Sequence, residues 1–229
     1  MTRRGSVSCA VPFAAAVLCG ALTMACGGSV PGATAPVPAP AAIEESQIVQ
    51  IDDSSSASAS RFTDGRIWVE IKGADASPRF GAEFRKTDVN KVQVDYSLYL
   101  LASEDTAART ESAAMELELD AVPSLDDAIA ASVLIQTQFS NAVLGLYDNW
   151  GCDLLPGKFN WIASCGPKGK CCDVHDACYQ RRGCSASSWK AAPWNKCQIF
   201  CNAPAVACFL TKNPGPSACC FRGNCGRPR

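Results

Sequence analysis

The chain has 229 residues, 15 cysteines, a single histidine and a formal net charge of −1. This length suffices for one ordinary domain or two small ones, and so many cysteines exclude a reducing compartment. The small net charge hides an asymmetry. Residues 27–149 hold eight Lys and Arg against nineteen acids, a balance of −11, whereas residues 150–229 hold eleven against three, a balance of +8. An acidic half followed by a basic half predicts two modules.

The N-terminus predicts an export signal over residues 1–25. Arg3 and Arg4 precede an apolar stretch that ends in small residues, which is the pattern of a signal peptide. The residues LTMAC at 22–26 resemble a bacterial lipobox, although the leucine lies one position too far from Cys26. The mature protein is expected to be exported, either anchored to an envelope membrane through a lipidated Cys26 or freely secreted. The sequence has no second long apolar run, so no membrane-spanning helix is expected in the mature protein.

The next part of the chain predicts a tether and then a small β module. Residues 26–60 are rich in Pro, Ala, Gly and Ser, which favours a low-complexity tether. Polar and apolar residues alternate with the period of a strand in four segments, the last of which is weaker: 66–72, 91–101, 114–119 and 79–84. Three or four strands would form a small antiparallel sheet within residues 61–122. We find no catalytic constellation there, which favours a folding or spacer role.

An amphipathic helix is predicted over residues 123–148. Ser124 is placed as the N-cap, and two acids follow in the first turn. Apolar residues then recur at helical spacing: Leu125, Ile129, Val133, Phe139, Val143 and Leu146. Packing in the core is favoured over the alternative, a helix that rests on a lipid surface.

Residues 149–229 are predicted to form a disulfide framework. The twelve cysteines outside the N-terminal segment all lie here, at 152, 165, 171, 172, 178, 184, 197, 201, 208, 219, 220 and 225. An even number of closely spaced cysteines in an exported chain favours disulfides, although the spacing alone does not give their pairing.

The only histidine lies in the sequence CCDVHDACY, residues 171–179. This segment lacks Pro and Gly and predicts a helix that carries Cys171, His175, Cys178 and Tyr179 on one face. Asp176 follows about 100° around the helix, so the imidazole and the carboxylate can border one slot without pairing directly. A base beside a hard carboxylate ligand suits a water-activating, metal-assisted reaction.

CCDVHDACY resembles the active-site helix CCxxHDxCY of the secreted phospholipases A2 at every fixed position. The wider resemblance to this family covers roughly residues 150–229. The resemblance implies a disulfide-rich, mainly α, phospholipase A2-like domain. Together with the small antiparallel β module and the linking helix that precede it, this domain gives a predicted α+β fold. It also implies calcium-dependent hydrolysis of the sn-2 ester of glycerophospholipids. His175 would be the general base, Asp176 a Ca²⁺ ligand and Tyr179 part of the hydrogen-bonded support.

The rest of the family pattern is less complete. The family's calcium loop resembles NWGCDLLPG, residues 149–157, which implies further Ca²⁺ ligands at Gly151, Asp153 and Leu155. A second candidate, residues 165–169, lies too close to Cys171 for the usual loop.

Asn202 stands where the family has the aspartate that orients the histidine. Its neutral amide predicts a weaker base, and the alternative is that Asn202 caps a helix restarted at Pro204.

The resemblance implies two disulfides that hold the two helices together, Cys171–Cys208 and Cys178–Cys201. It also implies that Cys172 pairs with either Cys165 or Cys152.

Three other functions are weighed against the hydrolase. The first is a non-catalytic or weakly active relative that binds lipid or protein, which Asn202, Pro204 and the thin calcium loop favour. The second is a zinc site at Cys171, Cys172, His175 and Cys178, which export disfavours. A cysteine nucleophile is disfavoured for the same redox reason.

The basic half predicts an anionic partner, which is expected to be a phospholipid membrane and not nucleic acid. The acidic half is expected to mask this basic surface within the molecule.

Overall fold

The computed structural model describes residues 41–103, 106–144, 164–223 and 225. Six strands form one antiparallel sheet in which each strand pairs with the next along the chain. They are β1 (Ile43–Asp52), β2 (Ser55–Phe62), β3 (Ile67–Gly73), β4 (Pro78–Asp88), β5 (Lys91–Leu100) and β6 (Arg109–Glu118). Helices follow in the second half of the described chain, so the fold class is α+β, as predicted.

β1 and β2 occupy residues that were predicted to be a tether, so that prediction is wrong from residue 43 to residue 60. β2 pairs with β1 over residues 55–62 and with β3 over residues 55–61. Within it, Ala57 and Ala59 are buried, while the intervening serines are partly exposed. The composition resembled a linker because the side chains are small. The alternation of Ser and Ala is nevertheless the period of a strand, and backbone pairing stabilises it.

The predicted linking helix is present as α1 (Leu125–Leu144). Ser124 caps it, since its hydroxyl accepts a hydrogen bond from the Asp127 backbone N–H at 3.2 Å. Thirteen of the twenty residues of α1 are buried. The helix contacts β2 to β5 on one side and the C-terminal helical elements on another. The prediction that α1 packs in the core is therefore confirmed, and residues 145–148 lie outside the described part.

The C-terminal part consists of short helical elements. They are α2 (Gly169–Arg182), a 3-10 turn (Ala186–Lys190), a π-helical turn (Gln198–Asn202), α3 (Ala203–Thr211) and α4 (Ala218–Arg222). The π-helical turn runs directly into α3, and Pro204 lies in the first turn of α3, where a missing backbone N–H is tolerated. The prediction that the helix restarts at this proline is wrong, because the backbone of Asn202 and Ala203 is helical and continuous with α3.

The sheet and the C-terminal helices share one hydrophobic core. It joins buried side chains of the strands and α1 to Trp189, Val206 and Phe209. At its centre the Tyr96 and Phe139 rings meet edge to face, with 5.1 Å between their centroids. All described residues belong to one compact unit, which spans residues 40–229. The β-rich half is therefore part of the structure that supports the C-terminal helices.

Gly169 begins α2 at a position where only glycine fits. A Cβ atom there would overlap the carbonyl of Ser164 and lie 2.6 Å from the backbone nitrogen of Ser217. Two backbone hydrogen bonds keep these segments close together. The Ser217 N–H donates to the Ser164 carbonyl at 2.7 Å, and the Lys170 N–H donates to the Gly215 carbonyl at 2.9 Å. Gly169, which ends the second candidate for the calcium loop (residues 165–169), thus allows close backbone packing.

We predict that Gly169→Ala lowers the free energy of unfolding by roughly 2 kcal/mol, because backbone atoms must move to admit the methyl group. Urea denaturation of the oxidised protein measures the loss. Gly183→Ala is a useful comparison, since Gly183 meets no atom within 4 Å and its cost comes from its left-handed backbone alone. An unchanged unfolding midpoint in Gly169→Ala would contradict the close contact.

Candidate active site

Two disulfides fix α2 against the segment that contains the π-helical turn and α3. Cys171 pairs with Cys208 and Cys178 pairs with Cys201. Both pairings are those that the resemblance implied. Because the two bridges leave the same face of α2, seven residues apart, they fix the rotation of the helix as well as its distance. The face that carries His175 is therefore held towards the neighbouring turn.

Three further disulfides close the rest of this part: Cys165–Cys220, Cys184–Cys197 and Cys219–Cys225. Cys172 is disulfide-bonded as well. Since Cys165 bonds to Cys220, the alternative that Cys165 pairs with Cys172 is wrong, and the other alternative, Cys152, lies outside the described residues.

The zinc hypothesis is also wrong, because its three cysteines form disulfides and have no thiolate to offer a metal. Among the described residues, the sulfur atoms of Cys165, Cys220 and Cys225 also lie within 4.8 Å of one another, and all three cysteines form disulfides.

His175 is buried but keeps polar neighbours. Its side chain is 9% exposed, and its ring lies 4.0 Å from the Tyr179 ring and 5.8 Å from the Trp189 ring, measured between centroids. Nε2 lies 3.1 Å from Oδ1 of Asn202. An amide oxygen only accepts hydrogen bonds, so Nε2 must carry a hydrogen, and in the neutral ring Nδ1 then carries the lone pair. The arrangement therefore leaves Nδ1 as the basic nitrogen.

Asn202 is the polar centre of the site and is fully buried. Its Oδ1 also accepts a hydrogen bond from the Tyr179 hydroxyl at 2.6 Å. Its Nδ2 donates to Oε1 of Gln198 at 2.6 Å and to Oγ of Ser188 at 3.3 Å. Asn202 makes no side-chain cap to α3. The alternative that it serves as a helix cap is wrong, and its side chain faces the histidine.

Asp176 borders the imidazole on the side of the basic nitrogen. Its Oδ1 lies 3.7 Å from Nδ1 of His175, which is too long for a hydrogen bond, and its side chain is 12% exposed. A carboxylate in this position has the donor chemistry that Ca²⁺ prefers. The other predicted ligands, Gly151, Asp153 and Leu155, lie outside the described residues.

Three residues of the site were not predicted from the sequence. Gln198 is completely buried and bonds to Asn202, Ser188 bonds to both Tyr179 and Asn202, and Trp189 lines the histidine pocket. Ser188 and Trp189 lie in the 3-10 turn, whose place in the fold no local pattern indicated. Gln198 lies four residues before Asn202, and this helical spacing was the one available signal.

Comparison with protein-family models, with curated proteins and with solved structures found no significant match. The five disulfides between described cysteines indicate an exported or extracellular protein. In the described part of the chain, no helix has the length and hydropathy needed to cross a membrane.

We predict that Tyr179→Phe destabilises the site. The hydroxyl bonds to Asn202 at 2.6 Å and to Oγ of Ser188 at 2.7 Å, so its removal leaves buried polar atoms with fewer partners. The free energy of unfolding should fall by roughly 1–3 kcal/mol. Urea denaturation tests this, with Tyr99→Phe on the half-exposed part of β5 as the control. Equal effects of the two substitutions would contradict the role of the Tyr179 hydroxyl.

Proposed function

We propose that the protein is a calcium-dependent hydrolase of the phospholipase A2 type, which cleaves the sn-2 ester of glycerophospholipids with a water molecule activated by His175. The observation that carries the proposal is the polarised imidazole. Nε2 is anchored on Asn202, and Nδ1 faces the carboxylate of Asp176. A buried histidine in a purely structural helix needs neither an oriented ring nor an adjacent acid.

In the proposed reaction, Nδ1 of His175 takes a proton from water as the oxygen attacks the ester carbonyl, and later returns it to the leaving alcohol. Asn202 keeps the ring oriented through Nε2–H. Its amide carries no charge to stabilise the imidazolium, so the base should be weaker than one paired with a carboxylate. Tyr179 and Ser188 hold the Asn202 side chain, and Trp189 shields the ring from bulk water.

Asp176 would hold Ca²⁺, as the described residue whose carboxylate borders the base. When bound, the ion supplies positive charge for the oxyanion that develops on the ester carbonyl. Gly151, Asp153 and Leu155 remain the proposed partners of Asp176 in this site. Among the described residues, the proposed reaction therefore uses the Asp176 carboxylate next to the His175 imidazole, with Oδ1 3.7 Å from Nδ1.

A second feature supports a lipid surface as the partner. Three apolar side chains are exposed around a groove of about 730 Å³: Trp194 (78% exposed), Ile199 (45%) and Phe200 (51%). The guanidinium of Arg182 lies 4.1 Å from the centre of the Phe200 ring. Exposed aromatic side chains beside cations are suited to the interface of an anionic membrane.

The charge of this segment points to the same partner. Residues 177–229 contain eight Lys and Arg and no acid. Glu116 and Glu118 line the groove from the sheet, where Lys91 lies 2.7 Å from Glu116. The segment itself thus carries no acid that would repel anionic headgroups, and Lys91 offsets the charge of Glu116 in the groove.

Two observations favour the alternative, a weakly active or non-catalytic relative that binds lipid or protein. Asn202 supplies no negative charge behind the histidine, and the His175 side chain is only 9% exposed. The two functions differ in turnover, so the assay below separates them.

We predict that the purified, oxidised protein hydrolyses phospholipid vesicles at millimolar Ca²⁺ and that a chelator abolishes this activity. His175→Gln, which keeps a polar side chain, should lower kcat by at least ~100-fold because it removes the base. Asp176→Asn should instead raise the Ca²⁺ concentration needed for half-maximal rate. The control is Asp173→Asn, since Asp173 accepts hydrogen bonds from Ser217 and from the Ala218 N–H and lies on the same helix.

Full activity in His175→Gln would reject His175 as the base. A folded wild-type protein that binds Ca²⁺ and vesicles without hydrolysing them would favour the binding relative.

We also predict that the exposed aromatic residues insert into lipid. The double variant Trp194→Ala, Phe200→Ser should bind vesicles with half anionic lipid at least ~10-fold more weakly than the wild type. The matched control, Ile48→Ser with Val89→Ser, changes one side chain of β1 and one of the β4–β5 turn. Each is 79% exposed, and the control should leave binding unchanged. Vesicle sedimentation measures both. If both double variants bind equally well, and high salt removes the binding, the contact is purely electrostatic and the insertion is contradicted.

A further inference from the structure

Gln198 connects the β-sheet to the histidine through two amide groups. It lies at the start of the π-helical turn and is completely buried. Its Nε2 donates to the backbone carbonyl of Ala114 in β6 at 3.1 Å and to the Tyr96 hydroxyl of β5 at 3.0 Å. Its Oε1 accepts the Nδ2 hydrogen of Asn202 at 2.6 Å. A chain of three hydrogen bonds thus runs from the sheet to the imidazole.

The backbone carbonyl of Ala114 determines the orientation of the Gln198 amide. A carbonyl only accepts, so the NH₂ group of Gln198 must face it and the amide oxygen must face Asn202. The Tyr96 hydroxyl agrees with this orientation, because it donates to the Trp189 carbonyl at 2.9 Å and so accepts from Gln198. Burial raises the pKa of Tyr96 far above its usual range, so the hydroxyl keeps the proton that it donates.

The Gln198 oxygen in turn determines what residue 202 presents to the histidine. It requires a donor at 2.6 Å, so Nδ2 of Asn202 faces Gln198 and Oδ1 faces Nε2 of His175. Hydroxyl groups, which can donate or accept, cannot make this choice, and the other two partners of Asn202, Tyr179 and Ser188, are hydroxyls. A carboxylate at residue 202 would place one of its oxygens against Oε1 of Gln198, with no hydrogen between the two acceptors.

We infer that Gln198 is a positioning residue, which fixes the Nε2–H tautomer of His175 from the sheet and makes asparagine the residue required at position 202. The sheet is then part of the catalytic apparatus, although it holds no reacting group. The consequence for turnover rests on the proposed function, whereas the consequence for the tautomer does not.

The tautomer of the single histidine can be observed directly. Nitrogen NMR of the neutral ring should show Nε2–H as the dominant form in the wild type. In Gln198→Met, the Asn202 amide is free to turn over, so the Nδ1–H form should become comparably populated. If the enzyme is active, kcat should fall roughly tenfold with KM unchanged. Gln180→Met, on the exposed face of α2, is the matched control and should change neither quantity.

A second variant keeps the test decisive should Gln198→Met fail to fold. Asn202→Asp should be less stable than the wild type and no more active, because its carboxylate faces Oε1 of Gln198. This loss should be smaller in the Gln198→Met background. An unchanged tautomer in folded Gln198→Met, or an Asn202→Asp variant as stable as the wild type, would overturn the inference. A shifted tautomer without any hydrolysis would support it and reject the proposed function alone.

Discussion

The hydrogen bond from the Gln198 amide to the Ala114 carbonyl connects the two halves of this protein. A backbone carbonyl cannot change its role as acceptor, so it sets the direction of every amide beyond it. Gln198, Asn202 and His175 follow in order, and each receives the only orientation that satisfies its neighbour. In a buried site, an unsatisfied donor or acceptor costs about 1–3 kcal/mol, so the chain of bonds is strongly directional. The basic nitrogen of the histidine is thereby assigned from the sheet.

This arrangement also accounts for an asparagine instead of an aspartate at position 202. A carboxylate would serve the imidazole better, since it stabilises a positive ring. Asn202, however, must donate to Gln198 as well as accept from His175, and a carboxylate cannot donate. The site therefore combines an oriented histidine with a neutral partner. The Asp176 carboxylate lies on the other side of the ring, with its Oδ1 3.7 Å from Nδ1.

Both disulfides and noncovalent packing hold the residues of the candidate site in place. The disulfides Cys171–Cys208 and Cys178–Cys201 fix the rotation of α2, and the shared core fixes the distance between the helices and the sheet. The apolar side chains that remain exposed, chiefly Trp194 and Phe200, belong to the same basic, acid-free segment. The interior is thus cross-linked, while one surface exposes aromatic side chains in a segment rich in cations.

The sequence by itself determined the features that depend on local spacing. These include the helix around His175, the Asp176 carboxylate that borders the histidine, and the linking helix. The resemblance added the two helix-fixing disulfides. Only the tertiary structure decided that residues 43–60 are strands, because small side chains conceal a strand until its partners are known. It alone placed Gln198 against Ala114, since a contact between residues 84 positions apart leaves no trace in local periodicity.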